Sequence, residues 1–275
     1  MTISELLPLL RCVECEAAVA SDRDEIVCTT CATRWGTVDG VYDLRPKASL
    51  PLPRMYDDPN YQEWNRRLNQ SLDYLYRSNP LISWVQNAGH RAIRSMCAAS
   101  PDKLTLDMAC GDGGHRPYMW RPDRVVGVDL DQASLKTHHE RYPNAFAVRG
   151  DCYRLPFRDG VFERVINLYN LEHLVHLDFA LEEANRVLRA DGELCVSVPT
   201  EGGFAWVLGR RFTTARQFTT DDLDYVRANS IDHCNCIWQI EKTLSRHFRF
   251  VERRLFPLGL PSYHVNIITT WLLRK

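Results

Sequence analysis

The sequence predicts an α/β protein: a doubly wound, mostly parallel sheet with a terminal antiparallel hairpin, preceded by a small cysteine-paired module. Three observations carry this. From Lys103 onward, short apolar runs recur with helical segments between most of them, the pattern of a parallel sheet covered on both faces. The last two runs, Phe250–Phe256 and Val265–Leu273, are joined by a loop with Pro257, Gly259 and Pro261, which makes them a hairpin. Two Cys-x-x-Cys pairs stand near the start, outside that alternation.

Taken in order, residues 1–45 form the cysteine module, rich in strand-forming residues. Residues 46–100 are a linker and a helical extension. Pro46, Pro51 and Pro53 mark the linker, and apolar residues then recur at helical spacing: Leu68, Leu72, Leu75 and Tyr76, then Ile82, Val85 and Ala88, then Ala92, Ile93 and Met96. Residues 101–275 are the sheet domain, with strands at Leu104–Met108, Arg124–Asp129, Ala145–Val148, Arg164–Leu168 and Glu193–Val198, and a helix over Phe179–Arg189. Residues 199–248 are too long for a simple connection and read as an insertion over the site.

A charge of −1 over 275 residues gives no basic excess of the kind nucleic-acid binders show. No run of about twenty apolar residues appears, so no membrane span is expected. Met1–Leu10 makes a poor secretory leader, and the cytoplasm is the expected compartment. The 10 cysteines are distributed unevenly, which favours metal binding over a disulfide scaffold.

Cys12, Cys15, Cys28 and Cys31 form two knuckles whose tight turns aim four thiolates at one centre, the set that structural zinc accepts. A segment this short buries too little apolar surface to fold alone, so a metal substitutes for a core. With four protein ligands no coordination position stays open, and the zinc is structural.

The densest constellation is Leu106-Asp-Met-Ala-Cys-Gly-Asp-Gly-Gly114: a carboxylate near the end of a buried strand, then a glycine-bearing turn expected to open a helix. Ligands of doubly wound sheets bind at this end. Asp129 ends the next strand about twenty residues on, where an acid can accept hydrogen bonds from ribose hydroxyls. Asp151 follows the third strand. On these residues the chain resembles the class I S-adenosylmethionine-dependent methyltransferases, with their Rossmann-like fold, from Leu104 to Lys275. The resemblance assigns S-adenosyl-L-methionine to Asp107, Ala109, Gly111 and Gly113, to Asp129 with Leu130, to Asp151 with Cys152, and to Leu168 at the end of the fourth strand. Ala109 stands where the family usually has its first glycine, a change expected to be tolerated at negative φ. Asp191 replaces a usual proline. A nicotinamide-binding domain fits less well, because the turn is not a full GxGxxG.

An oxygen acceptor needs its proton removed, and Glu172-His173, after the fourth strand, is the candidate pair, with His173 as base. His115 is expected on an exposed helix position, and Arg210, Arg211 and Arg216 are candidates for pairing with substrate phosphate or carboxylate. His233, Cys234 and Cys236 stand close together in the insertion as a weak second metal grouping. Neutral charge and Glu172-His173 favour O-methylation of a small-molecule, sugar- or lipid-linked acceptor, and the chain resembles methyltransferases of glycan and natural-product pathways. The cysteine module followed by this domain also resembles the ribosomal RNA guanine-N methyltransferases, including the turn at Asp39–Leu44, though the missing basic charge weighs against RNA. A third reading is a non-catalytic, cofactor-binding partner protein that docks through the zinc module.

Overall fold

The computed structural model describes residues 3–48, 50, 54–67, 80–220 and 223–275. Leu68, Leu72, Leu75 and Tyr76 of the expected helical extension, with Pro51 and Pro53 of the linker, lie outside the described residues.

After a short helix α1 (Ile3–Leu6), strands β1 (Val19–Asp22), β2 (Glu25–Cys28) and β3 (Arg34–Trp35) form an antiparallel sheet of three strands. The hairpin β4 (Thr37–Val38) and β5 (Val41–Asp43) follows. Helical residues 59–67 (α2), α3 (Pro80–Gln86) and α4 (Ala88–Met96) lead into the sheet domain. Its elements are β6 (Thr105–Met108), β7 (Val125–Asp129), α5 (Gln132–Arg141), β8 (Phe146–Arg149), β9 (Phe162–Leu168), α6 (Leu177–Val187) and β10 (Leu188–Pro199). Helices α7 (Phe204–Phe212), α8 (Thr214–Phe218), α9 (Tyr225–Asp232) and α10 (Ile237–His247) precede the closing strands β11 (Arg249–Phe256) and β12 (Ile268–Arg274).

The main sheet has nine strands in the order β11-β12-β10-β9-β6-β7-β8-β5-β4. Strands β5 to β10 run parallel where they pair with one another, and β12 lies antiparallel between β10 and β11, as the hairpin pattern predicts. The chain reverses direction around β6, which has β7 on one side and β9 on the other, so the crevice for a ligand opens at the carboxyl ends of β6, β7 and β9. Core strands such as β6 and β9 are buried almost throughout, as expected for strands covered on both faces. At the opposite end, Arg164 of β9 is buried with Glu193 of β10, its Nε donating over 2.7 Å to Oε1, while Lys103 Nζ donates over 2.7 Å to Oε2.

Two expectations change. The hairpin β4–β5 falls within residues 1–45 but joins the main sheet: Tyr42 and Asp43 pair in parallel with Val148 and Arg149. The residues around the cysteines share that packing, since Leu10, Cys12, Val13, Ile26 and Trp35 lie in one apolar cluster with Val148, Leu155 and Phe157. The turn after β6 also opens no α-helix, only a 3-10 turn at Arg116–Tyr118. Pro117 lies inside this turn and has no N–H to carry an α-helical ladder onward from the glycines, and Arg121, before Pro122, is non-helical (φ −129°, ψ 78°), so no helix extends past Tyr118.

Candidate active site

Each strand end delivers one predicted residue to the crevice. Asp107, in β6, is buried, and burial pushes its carboxyl up to about 7, with the Arg116 guanidinium pulling the other way. Asp129, the last residue of β7, accepts from Gly111 N–H and from Asp131 N–H, each over 2.8 Å. Both oxygens keep a lone pair for a further donor. Burial raises its pKa against those backbone hydrogen bonds. Asp131 caps α5 by accepting from Ser134 N–H, which fixes where the chain turns after the acid. Asp151 is buried after β8 and accepts from Tyr153 N–H over 2.9 Å. Cys152 beside it has its thiol pushed far up by burial, so it is an uncharged wall. Leu130 is exposed next to Asp129, and Leu168 is buried at the end of β9.

The turn residues differ in what they do. Gly111 has φ +52°, and a Cβ there would point into open space. Gly113 has φ +82°, and its missing Cβ would stand 2.6 Å from His138 Cδ2 and 2.8 Å from Tyr142 Cε2. Gly111 therefore opens the floor of the crevice, while Gly113 lets α5 pack. Ala109 has φ +66°, which corrects the expectation of a negative angle. An L-residue in that conformation costs roughly 1–2 kcal/mol, so the alanine is held against its preference by the Ala109 and Cys110 N–H bonds to Val128 O, at 2.8 and 3.1 Å.

The fourth strand continues into Tyr169 (φ +52°), whose hydroxyl donates to Gln86 O over 2.6 Å and accepts from Gly89 N–H, tying α3 and α4 to this end of the sheet. Asn170 follows with a buried Nδ2 that has no partner among the described residues. The 3-10 turn Leu171–His173 then presents the predicted acid–base pair. Glu172 is buried, which raises its pKa, and its Oε2 has no partner among the described residues. His173 Nε2 lies 3.9 Å from Glu172 Oε1, and His173 Nδ1 lies 2.9 Å from Asp232 O and 3.5 Å from Asp232 Oδ1. Burial opposes a charge on His173, but the bond to Asp232 and the two carboxylates outweigh it and push the imidazole up to about 9. A histidine held protonated near neutral pH is a poor base by itself.

Other placements depart from expectation. His115 is buried, with Nδ1 2.8 Å from His90 Nδ1 and its ring stacked on those of His90 and Tyr118, because the helix expected to expose it does not form. Arg210 is not free for a substrate: Nη1 donates to both oxygens of Glu201, over 2.7 and 2.6 Å. His233 groups not with Cys234 and Cys236 but with His173 and Asp232, sixty residues away for His173 and invisible in the linear pattern.

Away from the crevice, the sulfurs of Cys12, Cys15, Cys28 and Cys31 all lie within 4.8 Å of one another. Cys12 and Cys31 are 3.6 Å apart, and Cys15 and Cys28 are 3.4 Å apart. Backbone N–H groups of Glu14 and Cys15 point at Cys12 Sγ, and those of Thr30 and Cys31 at Cys28 Sγ, over 3.3–3.4 Å. Those donors suit thiolates better than thiols.

A family described as "Methyltransferase domain" matches residues 106–196, which run from β6 into β10 and contain Asp107, Asp129, Asp151 and Glu172. Residues 106–196 are thus similar to a methyltransferase domain. Over 95 residues the chain is 38% identical to the phthiotriol/phenolphthiotriol dimycocerosates methyltransferase of Mycobacterium tuberculosis, covering 33% of this chain and 35% of that one. Over 135 residues it is 35% identical to the demethylmenaquinone methyltransferase of Mycobacterium marinum, covering 47% of this chain and 58% of that one. The chain thus spans about a third to somewhat over half the length of these relatives. Among solved structures, N-methyltransferase NodS from Bradyrhizobium japonicum WM9 in complex with S-adenosyl-L-homocysteine aligns at a TM-score of 0.54, with 14% identity over 79% of this chain and 99% of that one. The chain thus has the Rossmann-like methyltransferase fold, and among the described residues no helix is long and apolar enough to cross a membrane.

Proposed function

We propose that the chain is an S-adenosylmethionine-dependent methyltransferase that transfers a methyl group to an oxygen of a small-molecule, sugar- or lipid-linked acceptor. The observation that carries this reading is the set of three strand-end acids, buried Asp107 and Asp151 and half-buried Asp129, around the open floor left by Gly111. Asp129 has acceptor capacity for ribose hydroxyls, Asp151 and Cys152 flank the third strand end, and Leu130 and Leu168 offer apolar surface. S-adenosyl-L-methionine would supply an electrophilic sulfonium methyl. The protein's part is to position the acceptor and remove its proton. Glu172, buried and with an unpartnered oxygen, is the better base of the Glu172-His173 pair, and His173 orients the acceptor.

Two observations favour an apolar or lipid-linked acceptor. Phe204, Val207, Leu208 and Phe212 are exposed along α7, whose Trp206 and Arg210 bind Glu201 beside His233. The relatives named for lipid and quinone substrates point the same way. The four-cysteine cluster is read as a structural zinc site. Sulfurs around zinc stand about 3.8 Å apart for a tetrahedron with bonds near 2.3 Å, close to the spacings above.

The test is calorimetric titration of S-adenosyl-L-homocysteine into the folded, zinc-loaded chain and into Asp129→Ala, followed by labelled methyl transfer to hydroxylated lipid and quinone extracts. Binding that disappears in the variant, with label entering an organic-soluble product, is the expected outcome. No binding by the unmodified chain would sink the reading.

A further inference from the structure

We propose that His173, His233 and Asp232 bind a divalent transition-metal ion at the rim of the crevice, next to Glu172. Ligand atoms of the three residues lie within 4.8 Å of one another, and they come from the turn after β9 and the end of α9. Two imidazoles and a carboxylate leaving open positions form a donor set suited to first-row divalent ions.

The surroundings are those of a prepared site. Histidine ligands present one ring nitrogen to the metal while the other is held by a carbonyl or carboxylate. Here His173 Nδ1 lies 2.9 Å from Asp232 O, and His233 Nδ1 lies 2.9 Å from Glu201 Oε2 without a hydrogen bond among the described residues. His173 Nε2 faces Glu172 Oε1 at 3.9 Å, and His233 Nε2 faces Asp232 Oδ2 at 3.7 Å. Glu201 is itself fixed by Trp206 Nε1 over 2.6 Å and by Arg210. Asp232 accepts from the Tyr61 hydroxyl over 3.4 Å.

A second, independent feature points to a cation. Glu172 is 2% exposed, yet its Oε2 has no partner among the described residues. A buried carboxylate oxygen without a donor is costly.

This proposal deepens the O-methylation reading and rests on it. The open coordination position takes the acceptor hydroxyl. The acceptor O–H bond would break as its proton forms an O–H bond on Glu172, and the freed oxygen electron pair would form the O–CH3 bond as the sulfonium C–S bond breaks. The ion lowers the cost of that step by stabilising the oxygen's charge.

The test uses the full chain carrying one zinc, dialysed free of other metal. MnCl2 is titrated in and free Mn2+ is read by electron paramagnetic resonance, with S-adenosyl-L-homocysteine affinity measured in parallel. One bound Mn2+ per chain, or a second equivalent of zinc after zinc addition, is expected. His233→Asn and Asp232→Asn are expected to weaken it at least about tenfold, since even indirect partners of metal ligands are worth that much. Retained S-adenosyl-L-homocysteine binding shows that each variant is folded. If the unmodified chain takes up neither ion, or the variants keep it at full affinity, the metal site is refuted. S-adenosyl-L-homocysteine binding without metal refutes only the ion. Metal binding without S-adenosyl-L-homocysteine leaves the ion in place and refutes its role in methyl transfer.

Discussion

Two glycines two residues apart in the same turn should fail in different ways when replaced by alanine. At Gly113 the new methyl meets His138 and Tyr142 at 2.6 and 2.8 Å in a backbone with φ +82°. Overpacking costs ~1–3 kcal/mol and the left-handed backbone ~1–2 kcal/mol, while restriction of the unfolded chain returns ~0.4–1 kcal/mol. The net is about 2–4 kcal/mol, or a fall in Tm of roughly 5–10 °C. At Gly111 the methyl meets nothing, so only backbone strain remains, net about 0.5–1 kcal/mol and a few degrees of Tm. That methyl, however, projects into the floor assigned to the cofactor. Thermal unfolding and S-adenosyl-L-homocysteine titration on both variants separate the effects: Gly113→Ala should lose stability, and Gly111→Ala should lose at least about tenfold in affinity, ~1.4 kcal/mol. Full affinity in a stable Gly111→Ala protein would refute the placement of the cofactor over this turn.

Three further outcomes are expected. Asp107→Asn should stabilise the ligand-free protein at high pH. The Asp107 carboxyl is raised from 3.8 to about 7, so its penalty is absent below the unfolded value, grows as pH rises and is complete above about 7. The gain should reach roughly 4 kcal/mol at pH 8.5 and shrink to less than half of that at pH 5, read from urea midpoints at the two pH values. Ala109→Gly should raise the urea midpoint by up to about 1 kcal/mol, because relief at φ +66° exceeds the entropy that glycine loses on folding; a fall would mean that the methyl packs usefully. Chelation of the zinc proposed for the four cysteines should lower one cooperative calorimetric transition for the whole chain, since Cys12 and Cys28 share an apolar cluster with Val148 and Phe157; two separate transitions would contradict this.

The features legible in the sequence are those with local causes. Strands β6, β7 and β9 are near-continuous apolar runs, and Asp107, Asp129 and Asp151 fall at or beside strand ends, so the fold and the candidate cofactor residues follow from neighbours in the chain. The cysteine knuckles are legible because each pair is closed by one turn. Features set by distant partners were not. The pairing of Tyr42 with Val148 joins segments more than a hundred residues apart, and two short strands carry no mark of the sheet they enter. The meeting of His173 with His233 depends on how α9 lies against the turn after β9, which no local pattern encodes. The missing helix after Gly113 is a different case: Pro117 and Pro122 stand in the sequence, and they outweigh the helix start that the glycine turn suggests.

The hairpin that carries Tyr42 and Asp43 has a consequence for any attempt to cut the chain. Cleavage after residue 45 would leave the Phe146–Arg149 strand as a bare sheet margin with unpaired backbone N–H and C=O groups, a template for strand addition by another molecule. In the whole chain that margin ends in β4, only two residues long, too short to recruit a partner strand. The cysteine-bearing segment thus also guards against self-association, and a truncated methyltransferase domain would be expected to precipitate where the full chain stays dispersed.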